Sequence, residues 1–336
     1  MRMWIELLGL SEPLARAEAA GAAEALGGHA EASVPPLALG LLAVELPSSV
    51  DPADLARRLA LSRRVLRPMG TGPSNALDAI EAQGSGGRTA ALRRLGHASS
   101  GGSDPAIARG AQAFRRGGGR ISLAHPDLRI WIAEGPEGSD LYLEELASVD
   151  RSRFESRRIS RLPFQRPVGL DPRLARAAAN LARVRPNDRV IDPFVGTGAL
   201  LAEAGLLGAR LYGVDIDPTM IRGALQNFAY LGIHAEQLTV GDAGTLGAEA
   251  GTEEFDTLLT DPPYGRASAT GEEGGAALMA RVLPVWASRV RRGGPGGRHL
   301  PGGPGSASCT LAPDALDPDA RPPQPDPRVP RLRAGS

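Results

Sequence analysis

Between residues 171 and 291 the chain alternates helix-forming and strand-forming stretches with a regularity that leaves few folds open. A helix over 172–183 leads to a strand at 189–191, a glycine-rich turn and a helix over 198–207. A strand at 211–214, a helix over 218–231, a strand at 237–240, a loop and a strand at 257–260 follow, and a helix over about 275–291 closes the run. Strands joined through helices cannot pair as hairpins. They line up in parallel, with helices on the faces of the sheet. The pattern predicts an α/β fold with a doubly wound, mostly parallel, Rossmann-like sheet, whose ligands sit at the carboxyl ends of its strands.

The first 148 residues lack that rhythm. Strand-like runs at 3–10, 37–46, 88–95, 121–123, 128–133 and 141–146 mix with helices over 11–26, capped by Ser11, and over 51–61, 74–83 and 104–116. This predicts an α+β region of one module or two small ones. Residues 149–170 read as a linker carrying positive charge, because Arg151, Arg153, Arg157, Arg158, Arg161 and Arg166 crowd around the breaks at Pro163 and Pro167. From 293 to 336 the chain is mostly Gly, Pro, Ala, Arg and Asp, with no strand of useful length. Such a segment buries too little apolar area to offset its ordering entropy. It is expected to be a disordered tail.

Four short motifs carry chemistry. Asp192-Pro193-Phe194-Val195-Gly196-Thr197-Gly198 follows a strand and opens a helix, where glycines let backbone approach a ligand. A dinucleotide fingerprint requires a third glycine at position 201, which is Leu201. Without it, and with Asp192 ahead of the turn, the loop suits the methionine end of S-adenosylmethionine better than a pyrophosphate. Asp215 ends the next strand, where a ribose-binding carboxylate belongs, and Asp217 before Pro218 reads as a helix cap. Asp242 ends the third strand, where a carboxylate can accept from an adenine amino group or simply cap a helix.

The fourth motif is the sharpest: Thr260-Asp261-Pro262-Pro263-Tyr264. Two consecutive prolines remove two backbone donors and stiffen the chain. That leaves the Asp261 carboxylate and the Pro262 carbonyl as acceptors in fixed geometry. The amino group of a nucleobase is a poor nucleophile, its lone pair being delocalised into the ring. Two acceptors that take its two hydrogens hold the nitrogen and aim the lone pair at a methyl donor, which is catalysis by positioning and electrostatics. Tyr264 offers a face for the extracted base to stack on.

Composition bounds the rest. The 38 basic residues, all arginine, balance 38 acidic ones, so nucleic-acid binding must rest on local patches. The single cysteine, Cys309, excludes a disulfide framework and a cysteine-rich zinc site. His29, His97, His125, His234 and His299 show no metal-ligand spacing, so no metal is expected. No apolar run approaches the roughly 20 residues that span a bilayer. A soluble, cytoplasmic protein, monomeric and without membrane contact, is expected.

These motifs resemble the THUMP-domain RNA methyltransferases, especially the archaeal tRNA guanosine N2-methyltransferases acting at position ten. The resemblance runs over about residues 50–290, through residues 54–61, 161–167 and 171–176, Asn180-Leu181-Ala182, the glycine loop, Gly213 to Asp217 and Asp261 to Tyr264. It implies a ferredoxin-like piece at 1–48, a THUMP-like RNA-binding domain at 49–148 that docks on tRNA, the linker at 149–170, a methyltransferase domain at 171–292 and the tail at 293–336. It further implies that Asp192, Phe194, Gly196, Thr197, Gly198, Asp215 and Asp242 bind S-adenosyl-L-methionine, while Asp261, Pro262 and Tyr264 act on a guanine of tRNA. A DNA adenine N6-methyltransferase carries the same four-residue motif and stays open as an alternative. Members of that family continue after the final helix into further strands, so the resemblance implies that the tail leaves this sheet short of its C-terminal strands, with the strand before Asp261 as an exposed edge. A protein that binds cofactor or RNA without catalysis therefore stays open as well.

Overall fold

A computed structural model describes residues 1–9, 11–31, 40–70, 73–96, 104–135, 138–167, 169–249, 254–262, 274–291 and 308–310. The described strands form two sheets, one of eight strands and one of five.

The first half supplies β1 (Arg2–Leu7), α1 (Glu12–Ala25), β2 (His29–Ala30), β3 (Leu41–Glu45), α2 (Pro52–Arg58), β4 (Ser62–Pro68), α3 (Pro73–Gln83), β5 (Thr89–Arg94), α4 (Pro105–Arg116), β6 (Arg120–Ile121), β7 (Leu128–Glu134) and β8 (Asp140–Ser148). Their order in the sheet is β2-β3-β1-β4-β8-β7-β5-β6. Because β1 pairs with β4, the sheet runs unbroken across the boundary expected between residues 48 and 49. Strand β4 was invisible to pattern reading: three arginines and a terminal proline mask the buried Val65 and Leu66. Ser11 stands at the cap position of α1, but its side chain makes no capping bond. On β5 and β7, Ala90, Leu92, Ile130 and Ile132 pack with Ile80 of α3 and Phe114 of α4. The period of two then turns Arg93, Arg129 and Trp131 to the opposite face.

The second half supplies α5 (Ser152–Glu155), α6 (Pro172–Leu181), β9 (Arg189–Asp192), α7 (Ala199–Gly205), β10 (Arg210–Asp215), α8 (Pro218–Tyr230), β11 (Gln237–Val240), α9 (Ala243–Glu249), β12 (Thr257–Thr260), α10 (Gly275–Ala287) and β13 (Ser308–Thr310). The sheet is wholly parallel in the order β11-β10-β9-β12-β13. This is the third-second-first-fourth-fifth order of a Rossmann-like fold. Alternation along the strands builds two cores. Val190 and Leu259 pack with Leu201, Ala224 and Phe228 on one face, while Ile191 and Leu258 pack with Val282 and Trp286 on the other.

Strand β13 corrects the expectation for residues 293–336. Leu258, Leu259 and Thr260 pair with Ser308, Cys309 and Thr310, so β12 is flanked on both sides rather than exposed. The physical reason lies in β12: all four of its residues are buried, and buried backbone N–H and C=O groups require partners. Three residues of Ser-Cys-Thr suffice for that pairing and are too few to show a hydrophobic period. The rest of the tail lies outside the described residues.

The two sheets are joined through a buried polar seam. Glu18 of α1 is fully buried, and its Oε1 accepts from Asn180 Nδ2 at 2.6 Å and from Ala60 N at 3.0 Å. Burial pushes the Glu18 carboxyl up to about 7. Arg58 donates to the Val184 carbonyl. The helices α1 and α6 approach so closely that a Cβ at Gly21 would stand 2.3 Å from the Asn180 carbonyl oxygen. No helix among the described residues is long and apolar enough to cross a membrane.

Candidate active site

The glycine loop leaves β9 at Asp192 and enters α7 at Gly198. Gly196 and Gly198 take φ of 53° and 85°, the left-handed region that a side chain resists. At Gly198 space is closed as well, since a Cβ would lie 2.7 Å from the Phe228 ring. Asp215, at the end of β10, holds the loop in place. Its Oδ2 accepts from Gly196 N at 2.8 Å and its Oδ1 from Asp217 N at 2.9 Å. Each oxygen keeps a further lone pair for a ligand hydroxyl. Burial raises the Asp215 carboxyl above its ordinary range. Asp217 caps α8 through Thr219 N, as its position before Pro218 suggests.

Asp192 is placed differently from a residue lining an open cleft. It is 1% exposed, and its Oδ1 accepts from Phe194 N at 2.9 Å and Thr260 Oγ1 at 2.7 Å. It braces the loop and the end of β12 from beneath, and burial pushes its carboxyl up to about 7. Phe194 and Thr197 are half-buried in the loop above it. Asn227, which the motifs did not mark, secures the loop from α8. Its Nδ2 donates to the carbonyls of Thr197 and Phe164, each at 3.1 Å, and its Oδ1 accepts from Phe164 N at 3.0 Å. A polar residue one step before Phe228 on the buried stripe of α8 was the available signal.

Asp242 follows β11 and caps α9 through Thr245 N at 2.8 Å, while both its oxygens receive Arg281 from α10. Sequence spacing could not show that partner, 39 positions away.

At the end of β12, Asp261 is half-buried, and its Oδ1 is buried with no hydrogen-bond partner among the described residues. Burial alone raises its carboxyl. Pro262 is buried beside it, whereas Pro263 and Tyr264 lie outside the described residues. The ends of β9, β10, β11 and β12 thus bring Asp192, Asp215, Asp242 and Asp261 to one edge of the sheet.

Two of the six linker arginines turn inward. Arg153 Nη2 donates to the Leu59 carbonyl at 2.8 Å, and Arg157 Nε donates to Glu203 Oε1 at 2.6 Å, so both are occupied inside the fold. Further arginines converge on the face of the first sheet opposite α3 and α4. Arg63, Arg64, Arg93, Arg129 and Arg151 surround Trp131 in a cavity of about 490 Å³. Arg64 lies 3.6 Å over the Trp131 ring centroid, and Glu145 accepts from Trp131 Nε1 at 2.7 Å. The signal was alternation on β5 and β7, which puts Arg93, Arg129 and Trp131 on the face opposite the buried Leu92, Ile130 and Ile132.

Comparison with known proteins agrees with this reading of the second half. Residues 159–298 match the model of the RMKL-like methyltransferase domain family. A tRNA (guanine(10)-N2)-dimethyltransferase of Pyrococcus abyssi is 38% identical over 147 residues, 44% of this chain and 43% of that protein. One from Methanothermobacter thermautotrophicus is 38% identical over 149 residues, 44% of each chain. The tRNA (guanine(10)-N(2))-methyltransferase of Saccharomyces cerevisiae is 30% identical over 165 residues, 44% of this chain and 38% of that protein. The chain spans less than half the length of these relatives. In sequence, residues 159–298 match the RMKL-like methyltransferase domain, and the strand order of the second sheet is Rossmann-like.

Proposed function

We propose that the protein is an S-adenosylmethionine-dependent methyltransferase that modifies the exocyclic N2-amino group of a guanosine in tRNA, in the cytoplasm. The observation that carries this reading is the buried Oδ1 of Asp261 at the carboxyl end of β12, which has no partner among the described residues. A buried acceptor without a donor costs free energy, and a substrate N–H removes that cost on binding. The amino group donates one hydrogen to Asp261 and the other to the Pro262 carbonyl, which orients the nitrogen lone pair. Asp261 is not required to be a strong base, because the amine becomes acidic once methylated. Tyr264 stacks on the base.

The loop fits the cofactor. At Gly196 a Cβ would meet only the Phe194 carbonyl oxygen, at an uncrowded 4.0 Å, so it is the left-handed backbone that demands glycine there. Gly196, Thr197 and Gly198 hold the methionine end with Phe194 beside them, Asp215 the ribose hydroxyls and Asp242 the adenine amino group. When bound, the cofactor supplies an electrophilic methyl group. The relatives named for guanosine ten of tRNA favour that substrate over DNA adenine. The arginine groove of the first sheet favours a polyanionic partner.

The test is Asp261→Ala. Nucleoside mass spectrometry of tRNA incubated with cofactor should show N2-methylguanosine formation down on the order of 100-fold or more, with cofactor affinity by calorimetry nearly unchanged. Near-normal turnover would overturn the amine-positioning mechanism.

A further inference from the structure

Arg281 sits midway along α10, which carries no motif, yet its guanidinium reaches the carboxyl end of β11. Nη1 donates to Asp242 Oδ1 at 2.8 Å and Nη2 to Oδ2 at 3.0 Å. This is the planar fork that only arginine presents. Gly244 makes room for it, since a Cβ there would stand 2.1 Å from Arg281 Nη1. Thr245 adds its N–H at 2.8 Å and its hydroxyl at 3.1 Å, both to Oδ1.

A carboxylate offers about four lone-pair directions, two on each oxygen. Oδ1 is saturated by its three donors, whereas Oδ2 takes only the Arg281 bond among the described residues. One acceptor direction therefore remains, on an oxygen whose plane Arg281 fixes. The side chain is 34% exposed, so a ligand can reach it. The hydrogen bond from Arg281, followed by that from Thr245 N, holds the carboxyl well below the usual carboxylate range. At neutral pH it has no proton to offer.

We infer that Arg281 is a positioning residue that makes Asp242 Oδ2 an amino-selective acceptor for the purine ring of the cofactor. The inference rests on the S-adenosylmethionine reading above. An exocyclic amine donates to Oδ2, while a keto oxygen at the same ring position meets it lone pair against lone pair. Without the fork, the carboxylate turns about its soft terminal torsion and the preference fades.

Calorimetric titration of the full chain with S-adenosylhomocysteine, and with its deaminated analogue S-inosylhomocysteine, reads the preference as a ratio of dissociation constants. The unchanged protein should favour the adenosyl compound by about tenfold or more. Arg281→Leu should reduce the ratio to within about threefold. Arg281→Lys, which keeps the charge but not the fork, should fall between. Arg281 is 42% exposed, so melting temperatures of both variants should stay close to that of the parent. Arg281→Leu that keeps the full ratio overturns the inference and leaves the cofactor reading intact, as does an unchanged protein that binds both compounds equally. Failure of the unchanged protein to bind S-adenosylhomocysteine overturns both.

Discussion

Glu203 offers the sharpest test of how the linker is used. It lies on α7, directly after the glycine loop, with 2% of its side chain exposed. It accepts from Arg157 Nε at 2.6 Å and Nη2 at 3.2 Å, and pairs with Arg176 Nη2 at 2.8 Å. The Arg157 and Arg176 side chains are 11% and 4% exposed, and burial already works against the Arg176 charge. Glu203→Ala leaves two guanidiniums in a poorly solvated site without the carboxylate that both are paired with. Breaking a buried pair in this way costs about 3–5 kcal/mol. Replacing all three by apolar residues, as in Glu203→Leu with Arg157→Met and Arg176→Leu, should cost about 1 kcal/mol or less, because no charge is left stranded. Urea denaturation, followed by circular dichroism and tryptophan fluorescence, measures both. A loss below about 1 kcal/mol for Glu203→Ala would refute the argument, since it would mean that water reaches the cluster and that Arg157 is available to solvent.

Three further predictions follow from the same geometry. Asp215→Ala removes the acceptor of Gly196 N and Asp217 N and should weaken S-adenosylmethionine binding by about 1.5–3 kcal/mol; unchanged affinity by calorimetry would remove Asp215 from the site. Asp192 has its carboxyl raised from 3.8 to about 7, so its contribution to stability is fully present below about pH 4 and is lost as pH rises through about 7. Asp192→Asn should therefore flatten the pH dependence of unfolding across that window, and an identical slope in parent and variant would count against the burial argument. Replacing Arg93, Arg129 and Arg151 by Ser should make the logarithm of tRNA affinity fall less steeply with the logarithm of salt, by about 2–3 in slope, whereas Arg157→Ser should lower stability and leave the salt slope alone.

Much of the second half was legible because its signals are local. Helices and strands there announce themselves within ten or so residues, and Asp217 before Pro218 states its cap outright. The order of the four motifs along the chain placed four aspartates at strand ends, and a parallel sheet must present those ends on one edge. What stayed hidden depends on residues far apart in sequence. Strand β4 is a strand because β1 and β8 pair with it on either side, whatever its arginines suggest. Strand β13 exists because a buried neighbour needs its backbone satisfied. The linker showed a run of positive charge, but only packing could decide that Arg153 and Arg157 turn inward while Arg93 and Arg129 face out.

The sequence by itself determined the fold class of the second half, the glycine loop and the positions of the acidic residues along the chain, since each follows from periodicity or turn chemistry over a few residues. Tertiary structure alone decided the partners: Thr260 on Asp192, Asn227 on Thr197, Arg281 on Asp242, Glu203 between two arginines. Such pairings depend on strand register and helix placement. These arise from burying apolar faces across the whole domain, and no local pattern encodes which polar group will then lie within reach of another.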